Sequence, residues 1–125
     1  MLWLAIAIGG GLGAVARHAV NHLFNLRFGT TFPAGIFVVN AIGCLTIGLL
    51  AGLIASTRLH LGEVGRTFVF VGILGGFTTF SSYGLDTYTL LRGGHTGLGL
   101  LNGVGQMVVG LGAVWLGFAM GDWRP

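Results

Sequence analysis

Charge is scarce in this chain, and that scarcity limits its fold more than any other feature. Of 125 residues, six are arginines, none is lysine and three are acidic, which makes 7% charged against 54% hydrophobic. Soluble domains are about a quarter charged. A soluble protein of this length could not cover its surface with so few charges, so the composition predicts an integral membrane protein.

Four apolar stretches are long enough to cross a bilayer, which takes about 20 residues of helix. Pro33 stands in the first turn of the second stretch, where the missing N–H needs no partner. The joining segments are too short to hold another domain. We therefore predict an all-α membrane protein with one domain over residues 1–125. Its transmembrane helices are expected at about residues 2–20, 33–55, 67–91 and 97–120.

The arginines favour neither orientation in the membrane. Four crossings place both termini and the second loop on one face. The two faces then carry three arginines each, with Arg17, Arg27 and Arg92 opposite Arg58, Arg66 and Arg124. Orientation normally follows an excess of Lys and Arg on the cytoplasmic side. Equal counts favour insertion in both orientations and pairing of two copies as an antiparallel homodimer. The alternative is that another signal sets the topology.

Glycine is unusually frequent, with 25 residues. Small residues four positions apart let transmembrane helices approach closely. This spacing occurs at Gly9/Gly13, Gly48/Gly52, Gly72/Gly76, Gly99/Gly103 and Gly117/Gly121. The pattern predicts intimate packing between spans and between subunits, although membrane helices also tolerate glycine for its own sake.

A polar, glycine-containing segment at residues 75–83 interrupts the third apolar stretch. Irregular backbone at membrane depth is tolerated only where protein or a watery cavity satisfies its polar groups. Carbonyl oxygens freed at such a break can bind a hard cation. The segment predicts a helix break near Gly75–Thr78. It also predicts either a structural Na⁺ site there or a kink satisfied by neighbouring hydroxyls.

Polar side chains from three spans are expected at one depth, roughly 10–15 Å from one face at about 1.5 Å per residue. They come from Asn40, Gln106 and the 78–83 segment. No carboxylate lies at that level, because Asp86 is near the end of its span. Amide and hydroxyl donors, with the electropositive edges of phenylalanine rings, suit a small anion. The alternative is that these hydrogen bonds only hold the helices together.

Three segments resemble the bacterial CrcB/Fluc fluoride channels over essentially the whole chain. They are Gly-Gly-Gly-Leu-Gly-Ala-Val-Ala-Arg at 9–17, Gly-Ile-Phe-Val-Val-Asn-Ala-Ile-Gly at 35–43, and the highly specific Gly-Gly-Phe-Thr-Thr-Phe-Ser at 75–81. The resemblance implies an antiparallel dual-topology dimer in the inner or plasma membrane, with two fluoride pores and a central structural Na⁺. Fluoride would leave passively, driven by about 2.3 kcal/mol per charge per 100 mV. No enzyme activity is implied.

The resemblance also assigns roles to single residues. Asn40 corresponds to the pore asparagine that donates to fluoride, and Phe80 to a pore phenylalanine whose ring edge faces the anion. Gly75 and Thr78 correspond to residues whose backbone carbonyls hold Na⁺. With the polar path, the candidate fluoride-pore residues are Asn40, Thr79, Phe80, Ser81, Tyr83, Asn102 and Gln106.

Arg17 closes the first motif, and it either attracts anions at a vestibule or pairs with Asp86.

Two features depart from the family's usual pattern. Tyr83 stands where a second phenylalanine is usual, so its hydroxyl either adds a donor or narrows the path. Asn102 and Gln106 stand where the fourth helix often carries hydroxyls. Both departures concern the chemistry of the path and the rate of passage.

Other function classes fit less well. The scattered arginines do not indicate nucleic-acid binding. Cys44 is a lone cysteine in an apolar setting, typical of a small buried residue, and His18 and His22 lack a third metal ligand. The main alternative is a small dual-topology transporter for another small solute. The missing deep carboxylate disfavours it, and a non-transporting membrane scaffold fits least.

Overall fold

The computed structural model describes residues 1–29 and 31–124, and within these ranges the ordered secondary structure is entirely helical. Helices suit an apolar chain because they satisfy every backbone polar group within one segment. The third helix, α3, is α-helical over Glu63–Arg66, π-helical over Thr67–Leu74 and α-helical over Gly75–Phe77. The other helices are α1 (Leu2–Phe28), α2 (Ala34–Ala55), α4 (Phe80–Arg92) and α5 (Thr96–Asp122).

In the part of the chain that the structure describes, four helical stretches are long and apolar enough to cross a membrane: α1, α2, α3 with α4, and α5. The protein is therefore a multi-pass membrane protein. α1 continues to Phe28, well past the predicted end near residue 20. Pro33 is the N-cap residue of α2 and not part of its first turn.

The third span is broken at Thr78 and Thr79, whose backbones are extended (ψ 156° and 115°). Gly75 keeps helical angles (φ −63°, ψ −36°), so the break falls at the C-terminal end of the predicted segment. Thr79 begins the next helix, because its side chain accepts a hydrogen bond from the Ser82 N–H at 3.2 Å. Such capping is typical of threonine at an N-cap.

Two helix pairs make close contact through glycine on both partners. In the pair of α1 and α3, a Cβ added at Gly13 would collide with the Ile73 carbonyl, and one at Gly76 with the backbone of Gly10. In the pair of α2 and α5, a Cβ at Gly48 would collide with Val114, and one at Gly117 with Leu45. The predicted packing between spans is present, and it joins helices that are not neighbours in sequence.

The break changes the neighbour of the third span. α3 packs mainly on α1, whereas α4 packs mainly on α5. α2 lies between α1 and α5 and contacts α5 most extensively. Residues of α2 and α5 consequently face the broken segment, and this arrangement positions the polar site described below.

The distribution of polarity is inverted relative to a soluble protein. Few large apolar side chains are buried, among them Val39 and Leu74, whereas Asn102 is completely buried. Large apolar residues such as Trp115 and Leu26 face outward along the helices. Polar side chains within membrane spans usually face the bundle interior, and Asn102 and Gln106 follow that rule.

Two arginines cap helix C-termini at one end of the bundle. α2 and α5 end side by side, and each end carries a partial negative charge from its carbonyls. Arg58 follows α2, and its Nη2 donates to the Gly121 carbonyl and, at 2.8 Å, to the Trp123 carbonyl at the end of α5. Arg124 follows α5, and its Nη2 reaches the Ala55 carbonyl of α2 at 3.4 Å. Each arginine thus stabilises the opposite helix end.

Candidate functional site

Asn40 holds the broken segment of the third span. Its Oδ1 accepts from the Thr79 N–H at 2.9 Å, and its Nδ2 donates to the Thr79 carbonyl at 3.2 Å. These two backbone groups have left the regular helical ladder, and a buried backbone group without a partner is costly. The primary amide of Asn40 therefore makes two hydrogen bonds to the Thr79 backbone, one to its carbonyl and one from its N–H, as a neighbouring β-strand would.

A continuous series of hydrogen bonds leads from Asn40 along the bundle interior. Asn40 Nδ2 donates to Gln106 Oε1 at 2.7 Å, and Gln106 Nε2 donates to Asn102 Oδ1 at 2.8 Å. Asn102 Nδ2 donates to Thr87 Oγ1 at 2.8 Å. We name these four residues, Asn40, Gln106, Asn102 and Thr87, the amide ladder. It connects α2, α5 and α4 at the depth where the sequence predicts a polar path.

The direction of every bond in the amide ladder is fixed by its two ends. The Thr79 N–H can only donate, so the Asn40 oxygen must face it. At the other end, the Thr87 hydroxyl donates to the Tyr83 carbonyl at 2.8 Å, which leaves its oxygen to accept from Asn102. The amide groups between these ends have a single consistent orientation, in which the N–H of each ladder bond is directed away from the break.

The amide ladder borders a cavity of about 280 Å³ that opens at the surface of the subunit. Asn40 and Gln106 contribute to its wall, together with Phe80 and Tyr83. The rings of Phe80 and Tyr83 lie 5.2 Å apart, centre to centre, at an interplanar angle of 37°. Phe80 is 79% exposed in the single subunit. The cavity therefore joins amide donors and aromatic edges at an open face of the molecule.

Hydroxyl groups near the cavity are largely engaged within the protein. The Tyr83 hydroxyl donates to the Gly103 carbonyl of α5 at 2.9 Å, which ties α4 to α5. The hydroxyl of Thr79 lies 3.2 Å from that of Ser81 and donates to that of Ser82 at 3.1 Å. Tyr83 thus reaches the site mainly through its ring, while its hydroxyl serves packing.

The break releases the carbonyl groups of Gly75 and Thr78, which the family resemblance assigns to a cation. The Thr79 N–H donates to Asn40, so it is diverted from the Gly75 carbonyl four residues earlier. The Ser82 N–H donates to the Thr79 hydroxyl, so it is diverted from the Thr78 carbonyl. Freed carbonyls are the oxygen ligands that bind hard cations in membrane proteins. Among residues 1–29 and 31–124, no cluster of three metal-ligating side chains occurs.

Arg17 lies inside α1 and not at its end. It stands one turn before Asn21, which touches Gly35 in the first turn of α2, so Arg17 lies deeper than the start of α2. The described residues contain one ion pair, between Arg124 and Asp122 at 3.8 Å. Arg17 and Asp86 are not paired in the subunit, and Asp86 Oδ2 is buried without a hydrogen-bond partner.

The structure brings together most of the residues predicted for the site. Thr79, Asn102 and Gln106 meet Asn40 through hydrogen bonds, and Phe80 and Tyr83 meet it at the cavity. Ser81 lies at the exposed edge, and Arg17 is on another helix outside this set. Sequence reasoning missed Thr87 as part of the path. Its position one helical turn after Tyr83 was the available signal, because residues four apart share a helix face.

Comparison with known proteins identifies the family. A family model described as "CrcB-like protein, Camphor Resistance (CrcB)" matches residues 4–118. This chain belongs to the CrcB family. The resemblance predicted from the three sequence motifs is thereby confirmed.

Several relatives of this CrcB chain are named as fluoride-specific ion channels FluC. The protein of Opitutus terrae is 50% identical over 117 residues, covering 93% of this chain and 89% of the relative. That of Chloroflexus aurantiacus is 46% identical over 120 residues, covering 96% and 94%. A second FluC of Nitrobacter hamburgensis is 42% identical over 120 residues, covering 96% of each. The similarity thus extends through all four membrane spans.

Proposed function

We propose that this CrcB-family chain is a fluoride-selective passive ion channel that exports cytoplasmic fluoride across the inner or plasma membrane. The observation that carries the proposal is the meeting of Asn40, Gln106, Phe80 and Tyr83 at one cavity, in a chain whose relatives are named fluoride-specific channels. The inside-negative potential would drive the anion outward at about 2.3 kcal/mol per 100 mV. The proposal requires no catalytic step.

The donors of the amide ladder would replace the water around fluoride. A strongly hydrated ion enters a narrow path only where protein groups make up for the hydrogen bonds that it gives up. Asn40 lines the cavity together with Phe80 and Tyr83, so its amide N–H groups are the donors that would face an anion there. The edges of the Phe80 and Tyr83 rings would add weaker positive contacts.

Two copies in opposite orientations would complete the path. Phe80 is 79% exposed and the cavity opens at the subunit surface, so a second subunit would be needed to enclose the anion. The equal arginine counts on the two faces supply no bias against opposite insertion. We therefore propose an antiparallel homodimer. Arg17 would lie in a vestibule of that dimer and attract anions.

A structural Na⁺ would lie at the centre of the dimer, held by the backbone carbonyls of Gly75 and Thr78. Both carbonyls are freed from their regular helical partners by the break. The ion would supply a fixed positive charge that holds the broken segments together. Replacing Na⁺ by choline throughout purification and assay is expected to lower the dimer fraction and the fluoride flux. An unchanged dimer fraction and flux in choline would contradict the Na⁺ assignment.

The decisive experiment is fluoride efflux from liposomes that contain the purified protein. Vesicles loaded with potassium fluoride or potassium chloride are given valinomycin, and the released halide is followed with ion-selective electrodes. Rapid fluoride release with chloride release at the level of empty vesicles is expected. Equal rates for both anions would favour a less selective transporter, and no release of fluoride would refute the channel.

Two substitutions test the assigned site in the same assay. Asn40→Asp removes the amide donors and Phe80→Ile removes the ring edge, so each is expected to reduce fluoride flux at least tenfold. Phe118→Ile is the matched control, because Phe118 is on α5 and outside the cavity lining. Elution of all variants at the same volume in size-exclusion chromatography checks assembly. Full flux in both site variants would refute the assignment.

A further inference from the structure

Both N–H groups of Asn40 donate to oxygens of the protein itself. Asn40 Nδ2 carries two hydrogens. One is directed to the Thr79 carbonyl at 3.2 Å, and the other to Gln106 Oε1 at 2.7 Å. Both donors that Asn40 could offer to an anion are therefore in use. An anion can bind to Asn40 only by displacing one of these two acceptors.

Of the two acceptors, Gln106 is the one that can leave. The Thr79 carbonyl belongs to the backbone of the break, where the reciprocal bond from the Thr79 N–H holds it against Asn40. Gln106 Oε1 is at the end of a flexible side chain on another helix. Gln106 also lines the cavity beside Asn40, so displacement of its oxygen would open Asn40 toward the cavity.

Gln106 cannot present its N–H groups to the same place by turning its amide over. A turned amide would set Nε2 against Asn40 Nδ2, where two donors face each other. It would also set Oε1 against Asn102 Oδ1, where two acceptors face each other. Gln106 is only 8% exposed and Asn102 is 0% exposed, so water cannot form hydrogen bonds to the facing donors and acceptors in their place. The bond directions of the amide ladder thus keep the Gln106 oxygen, and not its N–H groups, next to the N–H of Asn40.

We infer that Gln106 is an internal competitor of fluoride at Asn40, and that it sets the apparent affinity of the path. In the subunit, its Oε1 accepts the Asn40 N–H that fluoride would use. Entry of the anion breaks that bond and frees Gln106. This inference rests on the proposed fluoride channel, and it gives Gln106 an effect opposite in sign to that of a simple pore donor.

The test is the dependence of fluoride flux on fluoride concentration in liposomes. Gln106→Met keeps the length of the side chain and removes the amide oxygen. Its half-saturating fluoride concentration is expected to fall about fivefold, the factor that corresponds to about 1 kcal/mol for one net hydrogen bond. An unchanged or higher half-saturating concentration would overturn the inference, because loss of a pore donor would raise it.

Two further variants make the result specific to this bond. Gln106→Leu removes the same oxygen with a different shape, and it decides the question by the same criterion if Gln106→Met does not assemble. Thr87→Val breaks the amide ladder at its far end and leaves both amide bonds of Gln106. A comparable decrease of the half-saturating concentration in Thr87→Val would also overturn the inference, because general loosening would then explain it.

Failure of the inference is distinguishable from failure of the proposed function. If wild-type protein releases no fluoride, the channel assignment itself is wrong. If Asn40→Asp conducts like wild type, the assignment of Asn40 to the path is wrong. If wild type conducts, Asn40→Asp does not, and the Gln106 variants do not gain affinity, only the competition is wrong.

Discussion

At the scale of single residues, the site depends on side chains with two partners. Asn40 satisfies the backbone of the break and also donates to Gln106. Its depth in the membrane is readable from the sequence, because helical rise fixes position along a span. Its partners are not readable, since they depend on where the third span breaks and on which helix lies opposite.

Tyr83 gives a prediction at this scale. Tyr83→Phe removes the hydroxyl that donates to the Gly103 carbonyl but keeps the ring at the cavity. We expect a loss of about 0.5–1.5 kcal/mol of stability, with fluoride still preferred over chloride. Tyr83→Leu should lose both stability and selectivity. Thermal unfolding followed by tryptophan fluorescence and liposome efflux provide the two measurements, and equal stability of Tyr83→Phe and wild type would contradict the role of the hydroxyl.

Thr79 gives a second prediction, which concerns the start of α4. Thr79→Val keeps the shape of the side chain and removes the oxygen that accepts from the Ser82 N–H. A lost N-cap costs about 0.5–2 kcal/mol, so a lower melting temperature is expected. Thr79→Ser keeps the oxygen and should melt close to wild type. If both variants melt alike, the cap does not stabilise the break.

At the scale of helices, glycine spacing predicted close packing but not the pairing of the helices. The same four-residue spacing recurs on every long span, so each glycine face is compatible with several others. Pairing is decided by the whole bundle, in which α1 meets α3 and α2 meets α5. The π-helical turns at Thr67–Leu74 also had no clear signal in the sequence. They lie in the half of the third span that packs on α1.

The contact of α2 with α5 can be tested at one glycine. Gly117→Ala places a methyl group against the Leu45 carbonyl and the Leu49 nitrogen, which are backbone atoms that cannot turn aside. We expect a loss of stability of about 1–3 kcal/mol from overpacking. Gly112→Ala is the matched control on the same helix, because nothing lies within 4 Å of its added methyl group. Equal melting temperatures for the two variants would contradict the close contact.

At the scale of the whole molecule, the number of membrane spans followed directly from composition and hydropathy. The location of the break was predicted to within a few residues, because glycine and hydroxyl residues are unusual in a lipid-facing span. The reciprocal capping by Arg58 and Arg124 was not foreseen. In the sequence these arginines are recognisable only as charges on one face of the membrane. Their partners are carbonyls that become neighbours only when α2 and α5 pack in parallel.

Orientation gives the prediction at this scale. With three arginines on each face, a C-terminal alkaline phosphatase and a C-terminal fluorescent protein should both be active, since each reports one side of the membrane. Arg66→Gln leaves three arginines against two and should shift the ratio of the two signals toward the phosphatase, because the face with three is favoured in the cytoplasm. Activity of only one reporter in the wild-type chain would contradict insertion in both orientations.

The pairing of α1 with α3 and of α2 with α5 has a consequence for synthesis in the cell. The first two helices leave the ribosome before either of their main partners exists. Their glycine faces therefore lack packing partners in the bilayer until the second half of the chain is inserted. Separately expressed halves, divided in the loop at residues 56–62, should accordingly accumulate only when both are produced together, because quality-control proteases remove helices that lack their partners.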